Sequence, residues 1–435
     1  MPTSIDKTCG TNVSTALNTW IAGRPNGSTL VFPPGSCYQL GGDAGLNLKG
    51  RDGLTLVGTG STLQLRTTGA SNFSSAFFLQ SSTHITIRGF TVDGMNTTTG
   101  TTGAASAIDE HINGAAIRAG SSFIEFDQVT WDRIRGFGVI ISSDGGSVWP
   151  TDISIHDSTV RGGEMGIAVV AGQRIDIVRN HIRDSVYIAI DLEPDYGTDG
   201  YRDVLIKDNQ ITRYAWGQNL TSWFVAANPA DAAVSAAVMD GLTITGNQVH
   251  FGAATADNGN ADGIGGLGIR ADKSNLKRDV VITNNTTTDN DTQSSSRGVI
   301  YLANVRNLTV TGNRQPIANG AAFVRDSGTT GTRVVSGNNT NSPPVAARPR
   351  RGGRAFVTYR VRRSASPRAR GGRETVTAPW ASPDHHGYDA SRGGSVDDRG
   401  PLVESDKLDI RHDTVLIRSV SLLGRRYPGW PGPVY

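Results

Sequence analysis

The sequence predicts an all-β solenoid of about ten stacked coils behind a short N-terminal capping helix. Three observations predict it. A short unit recurs ten times from residue 54 onward, reading apolar, any, apolar, two polar or small residues, Asn or a substitute, any, apolar. Within each unit apolar and polar residues alternate, the period of a strand with one buried face. In six units an Asn falls five residues after the start: Asn180, Asn209, Asn247, Asn285, Asn313 and Asn338. Imperfect copies at intervals of 22–39 residues mark a repeat architecture, in which each unit buries its apolar face against the next.

The elements follow in chain order. In NVSTALNTWIAG at 12–23, Val13, Leu17, Trp20 and Ile21 share one helical face, and Asn12 or Ser14 is placed to cap it. This helix closes one end of the core. TLVFPPGSCYQL then reads as strand, turn and strand. Cys9 and Cys37 flank the helix, either as one disulfide or as two unpaired thiols. The units follow: LTLVGTGS from 54, ITIRGFTV from 85, IEFDQVTW from 124, ISIHDSTV from 153, IDIVRNHI from 175, VLIKDNQI from 204, LTITGNQV from 242, VVITNNTT from 280, LTVTGNRQ from 308 and RVVSGNNT from 333. An Asn at a tight bend satisfies backbone groups and tolerates left-handed conformations, and Asn side chains stacked in register would bond along an internal ladder. Phe90, Val129 and Ser158 replace it in earlier units, which turn on packing or a hydroxyl instead. A second strand set lies between the units, at 115–119, 137–141, 165–169, 188–192, 267–271 and 298–302. Each coil is then strand, loop, strand, bend, short strand, loop. Coils spaced about 4.8 Å apart give a rod of about 48 Å.

The boundaries read as 1–40 for the cap and opening strand, 41–342 for the solenoid, and 343–435 for a tail. Residues 345–435 hold 17 Arg+Lys against 9 Asp+Glu and no Asn. That is +8, which leaves −5 on the rest of a chain whose net charge is +3. The composition reads as disorder, a basic arm for an anionic polymer, or a non-native reading frame. The body's own charge gives no support to nucleic-acid binding. No apolar run is long enough for a transmembrane helix. MPTSIDKTCG has no basic segment followed by an apolar run, so no signal peptide is read. The Asn/Thr/Ser/Gly-rich, Lys-poor body fits a secreted protein, and a start codon placed downstream of the true one reconciles the two. A monomer is expected.

On these units, the second strand set and GSTLVFPPGSCYQL, residues 10–340 resemble the right-handed parallel β-helix of the pectate-lyase-like superfamily. The resemblance implies an all-β, right-handed solenoid; the architecture hosts lyases, hydrolases, epimerases, phage tailspikes and adhesins. The Asn-Thr-Asp, Gly-His-Gly and Arg-Ile-Lys patterns of polygalacturonases and the Arg-x-Pro-x-x-Arg of pectate lyases are missing. Asp109, Glu110 and His111 resemble the Asp-Pro-His run of alginate epimerases without its Pro. AIDLEPD resembles a run in secreted β-helix repeat proteins.

That run carries the densest acidic group in the body. Ile190 and Leu192 point inward, so Asp191 and Glu193 face outward together, about 6.5–7 Å apart. Asp195 follows, and Asp199 lies in the next loop. Such carboxylates suit a hard cation such as Ca2+, with Asp191, Glu193, Asp195 and Asp199 as ligands. They equally suit an acid/base pair around a glycosidic bond with water between, or a solvated strand exit. Arg118 three coils earlier, Arg270 two coils later and then Tyr301 would line a groove for a polysaccharide, the arginines offsetting acidic sugars. Trp216 and Trp223, with Trp149, Tyr187, Tyr196, Tyr201 and Tyr214 around the same coils, offer faces for sugar rings. His181, Arg202 and Lys207 stand in neighbouring coils as other candidate bases. ADNGNADGIGG at 256–266 is a calcium loop or a flexible one. Two function classes follow: a lyase or hydrolase acting on an extracellular polysaccharide, or a non-catalytic, adhesin-like binding β-helix.

Overall fold

The structure is a computed structural model that describes residues 1–41, 45–66, 74–96, 112–212, 224–230, 234, 236–250, 267–271, 273, 275–287, 300–315 and 323–339. The chain divides into two units, Met1–Ala347 and Arg348–Tyr435; the second lies outside the described residues, as does the predicted tail. Among the described residues, 29 strands form two parallel sheets of 19 and ten strands. None of the described helices is long and apolar enough to cross a membrane.

The ten-stranded sheet takes one strand from each of ten coils, as the repeat count predicts. Six are the expected second set: Ile112–Ile117, Phe137–Ile141, Met165–Val169, Ile188–Asp191, Ile269–Ala271 and Ile300–Ala303. The others, Leu46–Asn47, Ser74–Leu79, Val225–Ala226 and Val324–Ser327, give no alternating signal. Ser74–Leu79 is buried on both faces, and two of the rest are only two residues long.

In the larger sheet the recurring units stack in register. Ile85, Ile124, Ile153, Ile175, Val204, Leu242, Val280 and Leu308 pair coil to coil and form one inner column. All are buried, so the alternation of period two is also the inside-outside division of the solenoid. Arg333 holds this register position in the last described coil. It is exposed, and its guanidinium forks onto Asp326 with contacts of 3.0 and 2.8 Å.

The bend between the two strand segments of this sheet holds the ladder. The Oδ1 of each Asn accepts both the backbone N–H and the side-chain Nδ2 of the Asn one coil earlier. From Asn180 through Asn209, Asn247, Asn285 and Asn313 to Asn338 these bonds measure 2.8–3.1 Å. Each Nδ2 also donates to a strand carbonyl: Asn209 to Ile177, Asn247 to Ile206, Asn285 to Ile244. An interior corner would otherwise strand backbone donors away from water. One assignment is corrected. The ladder Asn does not take the left-handed conformation; the residue before it does, at Arg179, Asp208, Gly246, Asn284, Gly312 and Gly337, as does Asp157 before Ser158. The Asn must point inward to bond, so the positive φ falls on its neighbour. A Cβ on Gly246 would lie 2.2 Å from Asp208 Oδ1, so a side chain there would have to displace the Asp208 carboxylate, although Arg179 and Asn284 hold the same turn with side chains.

Toward the N-terminus the ladder gives way to packing. Ser158 donates its N–H to Asn180 Oδ1 at 3.0 Å, and its Oγ accepts the Val129 N–H at 3.0 Å. Phe90 then packs edge-on against Phe32 and Phe77, and Phe77 meets Phe126, which tilts against Trp131. Trp20 of the helix Ser14–Ala22 closes this aromatic file on Phe32. The helix buries Leu17, Trp20 and Ile21 as predicted. Its cap differs: Val13 holds the cap position with no side-chain bond. The strand Thr8–Asn12 is paired to Cys37–Leu40, so Asn12 is still extended; its Oδ1 accepts the Ser14 N–H at 3.0 Å. Cys9 and Cys37 form a disulfide across these two strands. Closing a loop of this length contributes about 3 to 4 kcal/mol.

Asn247→Ala should destabilise the solenoid by about 3 to 4 kcal/mol, because two donors of Asn209 and the carbonyl of Ile206 lose their partner inside the core. Asn338→Ala, at the end of the ladder, should cost about 1 kcal/mol. Urea unfolding of the two variants checks the difference; equal costs would mean that the ladder does not act through burial.

Candidate functional site

The outer face of the ten-stranded sheet changes character along the axis. One outward column runs Phe78, Ala116, Ile140, Ala168, Asp191, Ala226, Arg270, Tyr301, Arg325. Its first part is apolar, and Phe137, Met165 and Val170 widen the apolar patch. From Asp191 onward it is polar except at Ala226. Backbone bonds carry a second column beside it, from Arg118 through Ser142 and Val170 to Glu193. Asp191 and Arg270 are therefore two coils apart in one column, as predicted, while Arg118 lies three coils before Glu193.

Asp191 is only 4% exposed. The strand Ile188–Asp191 ends there, and the amides of Leu192 and Glu193 donate to Ala226 O at 2.7 Å and Val169 O at 3.1 Å, which fixes the chain as it leaves the sheet. Glu193 is partly exposed. Asp191 and Glu193 stand near enough for a hydrogen bond between their carboxyls to help raise Asp191. Such a bond requires one proton between them, because two carboxylates have no donor. Burial, then the charge and hydrogen bond of Glu193, then Asp195 and Glu164, push the Asp191 carboxyl well above the usual carboxylate range. Burial also raises Glu193, opposed by its bond to Asp191 and by Lys273. Closing the pair over one proton avoids two adjacent buried charges. Its titration belongs to the pair. The arrangement holds an acid and a base side by side, the requirement for proton transfer at a reacting centre.

The other predicted residues are placed as follows. Asp195 lies within electrostatic reach of Asp191. Asp199 is buried and turned into its own loop: Oδ1 accepts the Ser143 hydroxyl, and Oδ2 accepts the N–H groups of Tyr196 at 3.0 Å and Asp195 at 3.3 Å. Arg118 is buried and bonds to Asp144 at 2.7 Å. Arg270 and Tyr301 are partly exposed, and the Arg325 guanidinium lies 5.4 Å from the Tyr301 ring centre. Trp149 donates to Thr198 O at 2.9 Å under the Arg202 guanidinium, so it pins the loop. Tyr201 is a core residue. His181 meets Thr212 Oγ1 at 3.2 Å beside the Asn180 bend. Trp216, Trp223, Tyr214, Asp109, Glu110, His111 and the 256–266 loop lie outside the described residues. Sequence reasoning missed Glu164 and Lys273. Glu164 is the second residue of GEMGIAV, one coil before Tyr187, whose N–H bonds its carbonyl. Lys273 hangs from Pro229 O and Ala230 O. On the outer face of the larger sheet, Asp127, His156 and Asp157 form a separate group able to coordinate a metal ion.

No family model and no curated protein matches the sequence. Among similar solved structures, the surface adhesin PfbA of Streptococcus pneumoniae is 13% identical over 78% of this chain and 90% of its own, with a TM-score of 0.49. An alginate lyase from Paenibacillus sp. str. FPU-7 is 11% identical over 76% of this chain and 96% of its own, with a TM-score of 0.39. The catalytic unit of a thermostable GH87 alpha-1,3-glucanase from Streptomyces thermodiastaticus strain HF3-3 is 12% identical over 78% and 70%, with a TM-score of 0.45. None of these likenesses bears on activity.

Asp191 keeps its proton to higher pH in the folded chain than in the unfolded one. Its favourable contribution is complete below the unfolded value of about 4 and is lost as pH rises through the raised folded value. Asp191→Asn is neutral throughout. In chelator, the variant should lose less stability than the parent between pH 4 and pH 8 in urea unfolding; equal losses would contradict a raised Asp191.

Proposed function

We propose that the chain is an extracellular, polysaccharide-active β-helix of the pectate-lyase-like superfamily, with Asp191 and Glu193 as its acid/base pair. The observation that carries this reading is the buried, mutually interacting carboxyl pair in line with Arg270 and Tyr301. Burial raises both carboxyls, and the pair together supplies the proton donor and the base. The substrate class is an acidic glycan lying along the coils. Arg270, about 10 Å from Asp191 along the axis, offsets the charge of a neighbouring sugar rather than of the reacting one, and Tyr301 flanks the next. Trp216 and Trp223 are proposed to stack on the same chain of sugars. Once both carboxyls ionise, Asp191, Glu193 and Asp195 together offer oxygen ligands for Ca2+; Asp199, whose oxygens already accept three donors, is the weakest of the proposed ligands.

A second reading has its own support. Asp191 is nearly sealed, and the same column is apolar over its first coils. Both suit a surface that holds a glycan without cleaving it.

Anionic and neutral polysaccharides, with calcium and with chelator, separate the readings. Absorbance at 235 nm marks elimination, and new reducing ends without it mark hydrolysis. Asp191→Asn and Glu193→Gln should each lower turnover by about 100-fold or more, while Arg270→Ala should raise KM with little change in kcat. Binding without product favours the non-catalytic module, and full activity in both carboxyl variants rejects the site.

A further inference from the structure

The outer face of the larger sheet carries a second cluster, independent of the carboxyl pair. The strands Ser122–Asp127 and Thr151–His156 are adjacent and parallel, and His156 pairs directly with Asp127. Outward side chains of the two coils therefore meet at the strand ends. His156 Nδ1 lies 2.9 Å from Asp157 Oδ2 and 3.6 Å from Asp127 Oδ1, and the three potential ligand atoms lie within 4.8 Å of one another.

The geometry points to a zinc site formed by His156 Nδ1, Asp127 and Asp157, with its fourth position open to water. In a tetrahedral zinc site with metal–ligand bonds of about 2.0–2.2 Å, neighbouring ligand atoms are about 3.3 Å apart. The observed 2.9 and 3.6 Å separations bracket that edge for both carboxylates against the imidazole, and the two carboxylates lie within 4.8 Å of each other. The ring is already oriented. Its other nitrogen, Nε2, lies 3.0 Å from Glu125 Oε1, the carboxylate partner that a zinc-bound histidine uses to fix its tautomer. Glu125 is held in turn by the Thr86 hydroxyl at 3.1 Å, one coil further back. Asp157 is braced from the other side: Arg179 Nε reaches Oδ1 at 2.8 Å and Nη2 reaches Oδ2 at 2.6 Å. With zinc on Oδ2, Arg179 keeps Oδ1. A chain of contacts thus crosses four coils, from Thr86 through Glu125, His156 and Asp157 to Arg179. Imidazole with carboxylates suits zinc better than calcium, which takes oxygen ligands alone. The ion would tie two coils together and leave one coordination position for a sugar hydroxyl, a carboxylate or water.

The proton is the competing occupant of Nδ1, so the test is run at pH 8 with zinc alone. Calorimetric titration of the full chain should show one zinc ion bound, and cobalt in its place should give the visible absorption of a tetrahedral site. Asp127→Asn, which leaves the His156 contacts to Glu125 and Asp157 in place, and His156→Ala should each abolish both signals. Glu125→Gln should weaken zinc binding by about 10- to 100-fold. Asp191→Asn/Glu193→Gln should leave it unchanged, which separates this site from the carboxyl pair. Circular dichroism establishes that each variant is folded. No zinc bound by the parent chain, or binding undiminished in Asp127→Asn, would overturn the assignment.

Discussion

The structure depends on how a buried corner disposes of its backbone hydrogen bonds. A coil that turns inside its own stack cannot give its amides to water, and an unpaired buried amide costs about as much as a typical point mutation removes. The Asn file answers this with one side chain per coil. Each Oδ1 takes two donors from the coil before, and each Nδ2 returns a bond to a strand carbonyl. Neighbouring coils are thereby locked at one register and one spacing. Where Asn is absent the corner changes chemistry, to a hydroxyl at Ser158 and then to the ring of Phe90. The two ends of the solenoid are thus held by different forces, aromatic packing near the capping helix and amide bonding in the later coils.

Fixed register is what gives the outer face its electrostatics. Parallel stacking brings side chains of successive coils to about 4.8 Å, so charge placed on one coil is read by the next. Asp152 and Arg174, and Asp157 and Arg179, meet in this way as forked ion pairs. Asp191 has no such complement: its register neighbours are Ala168 and Ala226. Among the described residues the charges that act on it are other acids, and its raised proton affinity follows from burial with that lack of compensation. The arginines enter this column only from the second coil onward.

Much of this was legible in the sequence, for physical reasons. The units are local, and their alternation is the burial pattern itself, so the start of each unit read from the chain is the register found in space. The Asn ladder was legible because the offset is constant. The bearer of the left-handed turn was not: Asp157 and Arg179 occupy it beside Gly246 and Gly312, and only the glycines signal it. Asp191 and Glu193 were legible as an i, i+2 pair. Their raised proton affinity was not, because it depends on burial by surroundings that the strand itself does not encode. Glu164 and Lys273 sit on other coils, and coil lengths vary too widely for their approach to be counted out along the chain. Asp199 and Tyr201 mislead for the same reason. One serves its own loop and the other the core, and local composition does not distinguish these uses from an open site.

The central claim is that the Asn corner is a sealed, hydrogen-bonded element. Native-state amide exchange at the backbone N–H groups of Asn180, Asn209, Asn247 and Asn285 tests it most directly. The account predicts protection equal to that of the core strand amides at Ile177 and Ile206, with exchange only through global opening. Exchange at the rate of exposed turns would contradict it.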